Sequence, residues 1–254
     1  MGDGIDLPGE VRRLIAATLL LPLLLAGCID FVEPDLPERG APAVIQAAIR
    51  LSDLGDAQLE ALLAPGLDRS GLRREVTRDT VIVLGRAVTP DSIARNGSRR
   101  YRDSWSAPAA VVAGPVTFRA PLLENLNASP PELIWTGARR LGPDTIDIVR
   151  GQDLVLVVGP GAGSGLPSPD VQQWFLRLEG DDGAFNISAD GPPPDTIQVP
   201  ARWIPEGGQV ATRLIYAQSA VFEDTPGDYV GLITLDIRLH WTVRVQAAGV
   251  GERR

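Results

Sequence analysis

The chain has 254 residues and a formal net charge of −8, which argues against generic nucleic-acid binding. All 24 basic residues are arginine, so a Walker phosphate loop, a Schiff-base lysine and a Ser-Lys dyad are excluded. A single cysteine, Cys28, and a single histidine, His240, leave no internal disulfide and argue strongly against zinc.

In chain order, the first element is an export segment. Arg12 and Arg13 precede an apolar run from Leu14 to Leu25, broken in polarity only by Thr18. The run is too short for a bilayer span, which needs roughly 20 apolar residues, and it has no polar face that would suit a core helix. It fits the core of a signal peptide. Small residues and the cysteine follow, and the string Leu25-Ala26-Gly27-Cys28 resembles the lipobox of bacterial lipoproteins. That resemblance covers only the first 28 residues. It implies cleavage after Gly27, a diacylglycerol on the Cys28 sulfur and a further acyl chain on the new amine, an anchor of more than one chain that holds firmly. By the same resemblance, Ile29 stands where inner-membrane lipoproteins carry a retention Asp, which implies an outer-membrane address. Asp3, Asp6 and Glu10 do not suit an n-region, and they move the expected translation start to Val11.

Residues 28–42 then read as a lipidated, extended tether rich in proline and charge. The body divides into a first domain at 43–126, a linker at 127–131 and a second domain at 132–247, with a tail at 248–254. Pro130-Pro131 marks the break. In the first domain, Val44–Leu51, Thr80–Leu84, Arg99–Trp105 and Val116–Leu122 are expected strands, with a hairpin turn at Asn96-Gly97. The stretch 56–63 fits either a short helix capped by Asp56 or a strand. In the second domain, 153–158, 174–178, 196–199 and 210–216 are expected strands separated by Gly, Pro and Asp turns. The stretch Ile233–Val245 alternates strictly, with Ile233, Leu235, Ile237, Leu239, Trp241, Val243 and Val245 on one face, the mark of a half-buried antiparallel strand. The expected fold is all-β, with two tandem immunoglobulin-like or fibronectin-like antiparallel sandwiches after the signal peptide.

No catalytic signature emerges. The glycines at 159, 161, 163 and 165 follow a strand, but Pro160, Pro167 and Pro169 prevent the helix that a dinucleotide loop requires. His240 lies on the polar face of its strand with Asp236 as the only carboxylate nearby in sequence, and it reads as an exposed strand histidine. Trp203, with Tyr216 or Tyr229, is the candidate platform for a sugar ring. Asp181, Asp182, Asp224 and Asp228 lie in turns and are weak calcium candidates. No other cofactor is expected.

Residues 69–102 carry nine arginines against three acids, whereas 133–245 carry eight arginines against fourteen acids. Attraction between the two halves accounts for this pattern; arginines meeting anionic lipid phosphate are the functional counterpart. The expected role is a non-enzymatic interaction or scaffold module on the outer membrane. It is bound to lipid through Cys28 and to an envelope protein or further copies of itself. A carbohydrate-binding or adhesion module is the alternative, and a calcium-dependent or carboxylate hydrolase is a more distant one.

Overall fold

The computed structural model describes residues 42–67, 70–123, 132–161, 170–205, 208–224 and 229–247, with the backbone alone at 222–224 and 229. Cys28, the signal segment, the tether and Asp228 lie outside these residues. The first half contributes β1 (Ala43–Ser52), β2 (Asp56–Ala64), β3 (Val76–Arg78), β4 (Val81–Val83), β5 (Arg86–Val88), β6 (Ser92–Ile93), β7 (Arg99–Ser106), β8 (Val116–Arg119) and β9 (Leu122–Leu123). The second half adds β10 (Glu132–Trp135), β11 (Ala138–Leu141), β12 (Thr145–Val149), β13 (Leu154–Pro160), β14 (Val171–Gly180), β15 (Gly183–Asp190), β16 (Thr196–Val199), β17 (Gln209–Asp224) and β18 (Tyr229–Gln246). There is no α-helix among the described residues, only 3-10 turns at Ala109–Ala113 and Ala201–Trp203.

Strand β18 organises the molecule. Its alternation buries Ile233, Leu235, Ile237, Leu239, Trp241 and Val243 on one side and leaves Thr234, Asp236, Arg238 and His240 half-buried on the other. Along one edge it pairs with β17 over the whole length of that strand. Along the other edge it is shared. Ala43–Ser52 of β1 run parallel to Tyr229–Arg238, and Thr145–Val149 of β12 run parallel to Thr242–Gln246.

The long sheet therefore has the order β15-β14-β17-β18-β1-β2-β7-β6, with β12 beside the last part of β18. A three-stranded sheet, β11-β13-β16, completes the second half, and a four-stranded sheet, β10-β8-β4-β5, joins β10 of the second half to three strands of the first. The inward residues of all three join one apolar core, in which Leu154, Leu156 and Val158 of β13 meet Leu176, Leu178 and Leu214 of the long sheet. This is a β-sandwich. In the second half β11, β13 and β16 stand as strands A, B and E of an immunoglobulin-like plan, and β15, β14, β17, β18 and β12 stand as C′, C, F, G and A′. Trp174 is buried on the C strand. Aliphatic residues fill the region where such domains often carry a disulfide.

The long sheet takes strands from both of the expected domains. The described residues group as one compact unit. The physical reason is the length of β18, 18 residues, which serves both halves along one edge. A second joint lies at Gly137, where a Cβ would run into the carbonyl oxygens of Val112 and Gly114, so only glycine allows the two backbones to approach.

Strand β2 resolves the ambiguity at 56–63. Ala57, Leu59, Ala61 and Leu63 are buried in period two, and pairing to β1 and β7 outweighs the helical stripe of leucines. The Asn96-Gly97 turn forms as expected, with Gly97 at φ 81° and the Asn96 side chain accepting from Ser98 N at 2.9 Å.

Candidate functional site

Of the candidate ligand residues, Tyr216 is buried and Trp203 is half-exposed, so these two do not share a platform. Tyr216 shares the inward face of β17 with Val210 and Leu214, and only 7% of it is exposed. Its hydroxyl donates to Gln172 Oε1. Trp203 is 38% exposed and stacks on Phe185, with ring centroids 5.0 Å apart; the Arg202 guanidinium also lies 5.0 Å from its ring. Asp153 holds the turn that carries Trp203, accepting from Ala201 N at 2.9 Å and Gln198 Nε2 at 2.8 Å. These hydrogen bonds, with the charge of Arg202, keep the Asp153 carboxyl below its ordinary range. Trp203 thus helps close the seam between β15 and the short sheet. The backbone of Tyr229 sits at the far end of β18, and its side chain lies outside the described residues.

The calcium candidates are also separated. Asp181 and Asp182 occupy the exposed turn between β14 and β15. Glu179 beside them pairs with Ala211 at the start of β17, whereas Asp224 ends that strand. At about 3.3 Å per residue the two places lie roughly 40 Å apart along the strand, so one ion cannot join them. Among the described residues no three His, Cys, Asp or Glu side chains gather around a possible metal position.

Burial raises the Tyr216 phenol to about 12. An unfolded tyrosine ionises near 10, so the native state holds this proton longer than the unfolded chain does. The resulting stability is present below pH 10 and is lost as pH rises from 10 to 12. In a phenolate absorbance titration, Tyr216→Phe will remove the step near pH 12. Ionisation of that group near pH 10 in the folded chain would show that it is not buried.

The organised polar cluster lies elsewhere, where β18 passes from β1 to β12. Asp53 N donates to Arg238 O at 3.0 Å, and Thr242 N donates to Asp144 O at 2.8 Å. Between them, the N–H of His240 faces the gap between the two parallel partners. The Asp53 carboxylate fills that gap. It accepts from His240 N at 3.2 Å on each oxygen, and Oδ1 lies 2.8 Å from His240 Nδ1. Arg140 Nε is 3.3 Å from its other oxygen. The Asp53 side chain is only 7% exposed. With Nδ1–H donating to Asp53, the ring keeps Nε2 as its free nitrogen.

The sequence offered Asp236 as the partner of His240, and the structure replaces it with Asp53, 187 positions away. No local signal connects the two. Asp236 instead lies 3.9 Å from both Arg50 and Arg238. Burial pushes the Asp236 carboxyl up, against the pull of the two arginines. Burial likewise pushes Arg238 down, opposed by Asp236 and reinforced by repulsion from Arg50 and Arg213.

Beyond Arg50 the same face carries a depression of about 460 Å³, lined by Ala48, Gln58, Glu60, Arg102 and Ser104 among others. Across it the Arg102 guanidinium binds Glu60 at 2.8 Å. This outer face of the long sheet carries an organised set of charged side chains.

No protein-family profile matches the chain, and no curated protein sequence matches it. Among solved structures it is similar to the fibronectin(III)-like modules of Clostridium thermocellum CbhA, at 11% identity and a TM-score of 0.25. That match covers 84% of this chain and 98% of the other. The strand order, rather than this likeness, carries the description of the fold.

Proposed function

We propose that the chain is a lipid-anchored envelope protein that acts as a non-enzymatic interaction or scaffold module. In this reading it is two immunoglobulin-like lobes fused through β18 and held to the outer membrane by the acylated Cys28. The lipobox string supports the anchor. The observation that carries the interaction is the free edge of the long sheet at β15.

Among the described residues β15 pairs only with β14, so its other edge is open. The strand has eight residues, reads Gly-Ala-Phe-Asn-Ile-Ser-Ala-Asp, and contains no proline and no charge before Asp190. Exposed edges usually carry charge, proline or a bulge that blocks pairing. An unblocked edge suits the addition of a partner's strand, from another envelope protein or from a second copy of this chain.

The test places a photo-cross-linking residue at Asn186 in intact cells, with a control at Val155 on the outer face of the short sheet. The expected result is one dominant adduct from position 186, lost when Ser188→Pro blocks the edge. Equal adducts from 155, or adducts that survive the proline, would overturn the edge reading. Fatty-acid labelling that persists in Cys28→Ala would overturn the anchor.

A further inference from the structure

We infer that the outer face of the long sheet holds a binding site for a phosphate-class oxyanion, centred on Arg213, Arg238 and the free edge of His240. The inference is independent of the β15 edge.

The register places basic side chains side by side. Arg177 of β14 is directly opposite Arg213 of β17, and Arg213 is directly opposite His240 of β18. Arg238 lies two residues along from His240 on the same face. Like charges opposite one another in a sheet are destabilising, so such a row is normally broken by acids.

Here the acids are engaged elsewhere. Asp53 is occupied by His240 and Arg140, and Glu179 pairs with Arg177 at 3.1 Å. Asp236 is shared at 3.9 Å between Arg50 and Arg238, too long for a hydrogen bond. Among the described residues no carboxylate pairs with Arg213. Two guanidinium nitrogens, Arg238 Nε and Arg140 Nη1, are buried with no hydrogen-bond partner among the described residues. A buried donor without an acceptor is costly, and a guanidinium is suited to the paired oxygens of a phosphate.

Within this cluster Arg50, Arg140, Arg177, Arg213 and Arg238 face Asp53, Glu179 and Asp236, a positive excess on a chain of net charge −8. Arg50 and Arg213 both repel Arg238, while Asp236 attracts it. A tetrahedral oxyanion over Arg213 and Arg238 would supply acceptors to both. The neighbouring His240, oriented by Asp53, would donate to it from Nε2–H when the ring carries both protons. A free phosphate and a lipid headgroup present this same chemistry.

The test uses the full chain and its only histidine, whose ring resonance needs no assignment. The Cys28→Ser form is used throughout to remove any lipid anchor. Inorganic phosphate is titrated at constant ionic strength. In a parallel arm, phosphatidylcholine vesicles are added with and without phosphatidylglycerol.

A saturating shift of the His240 ring with phosphate alone supports the site for a free anion. Saturation only with phosphatidylglycerol vesicles supports it for a headgroup. In either case Arg213→Gln should weaken binding at least tenfold. Arg213→Gln should also raise Tm in phosphate-free buffer, because it removes a like-charge neighbour, and that rise shows that the variant folds. A shift that stays linear in both arms, or affinity unchanged in Arg213→Gln, would overturn the inference. Arg244→Gln, further along β18, serves as the control that lowers general charge alone.

Discussion

Ile237→Ala lowers the stability of both halves of the molecule together, by about 2–5 kcal/mol. Ile237 is fully buried at the middle of β18 and is paired with Tyr216 of β17 on one side and Leu51 of β1 on the other. Truncation leaves a cavity that the surrounding sheet fills only in part. Because the residue stands between the two halves, β2 in one and β14 in the other should lose protection at the same denaturant midpoint. Amide hydrogen exchange read by mass spectrometry on peptides from these two strands makes the comparison. Two separate midpoints, or a loss confined to 132–247, would show that the halves are independent domains after all.

Asp53→Ala comes next in size, at about 3 kcal/mol, the scale for removing one partner of a buried charged pair. The loss has two parts. The backbone N–H of His240 is left without an acceptor in the gap between β1 and β12, and Arg140 loses a carboxylate that is shielded from water. Asp53→Asn keeps an acceptor for the backbone and should recover roughly half of the loss, while His240→Ala should cost less than Asp53→Ala. Chemical denaturation of the three variants checks the order. An Asp53→Ala chain as stable as the parent would remove Asp53 from any structural role at the handover.

The sequence displayed some of this and concealed the rest, for identifiable reasons. The alternation in 233–245 was strong enough to give the strand and its buried face, because every inward residue is large and apolar. The burial of Tyr216 was also readable, since Val210, Leu214 and Tyr216 fall on one parity of a strand already recognised. A ligand role required the opposite face. Strands β12 and β15 were not legible. The first is five residues long, and the second buries little and alternates weakly. Their existence depends on neighbours rather than on their own composition.

The shared edge of β18 was the least accessible feature. Nothing local in 43–52 distinguishes a strand that begins a separate domain from one that pairs with 229–238. The polar cluster shared that obstacle, because Asp53 meets His240 only once this pairing has formed.

The pairing of β1 with β18 also has a kinetic consequence. Its ladder joins segments from opposite ends of the described chain, in the parallel arrangement that cannot be nucleated by a tight turn. Sheets that depend on such distant contacts close slowly. Until Tyr229–Gln246 has emerged, β1 has no partner on that edge, and β2 and β7 extend a sheet whose middle is missing. A chain exported through a narrow channel must stay unfolded during passage. If the chain is exported as proposed, the late arrival of the central strand would defer closure of the sheet until Tyr229–Gln246 has crossed.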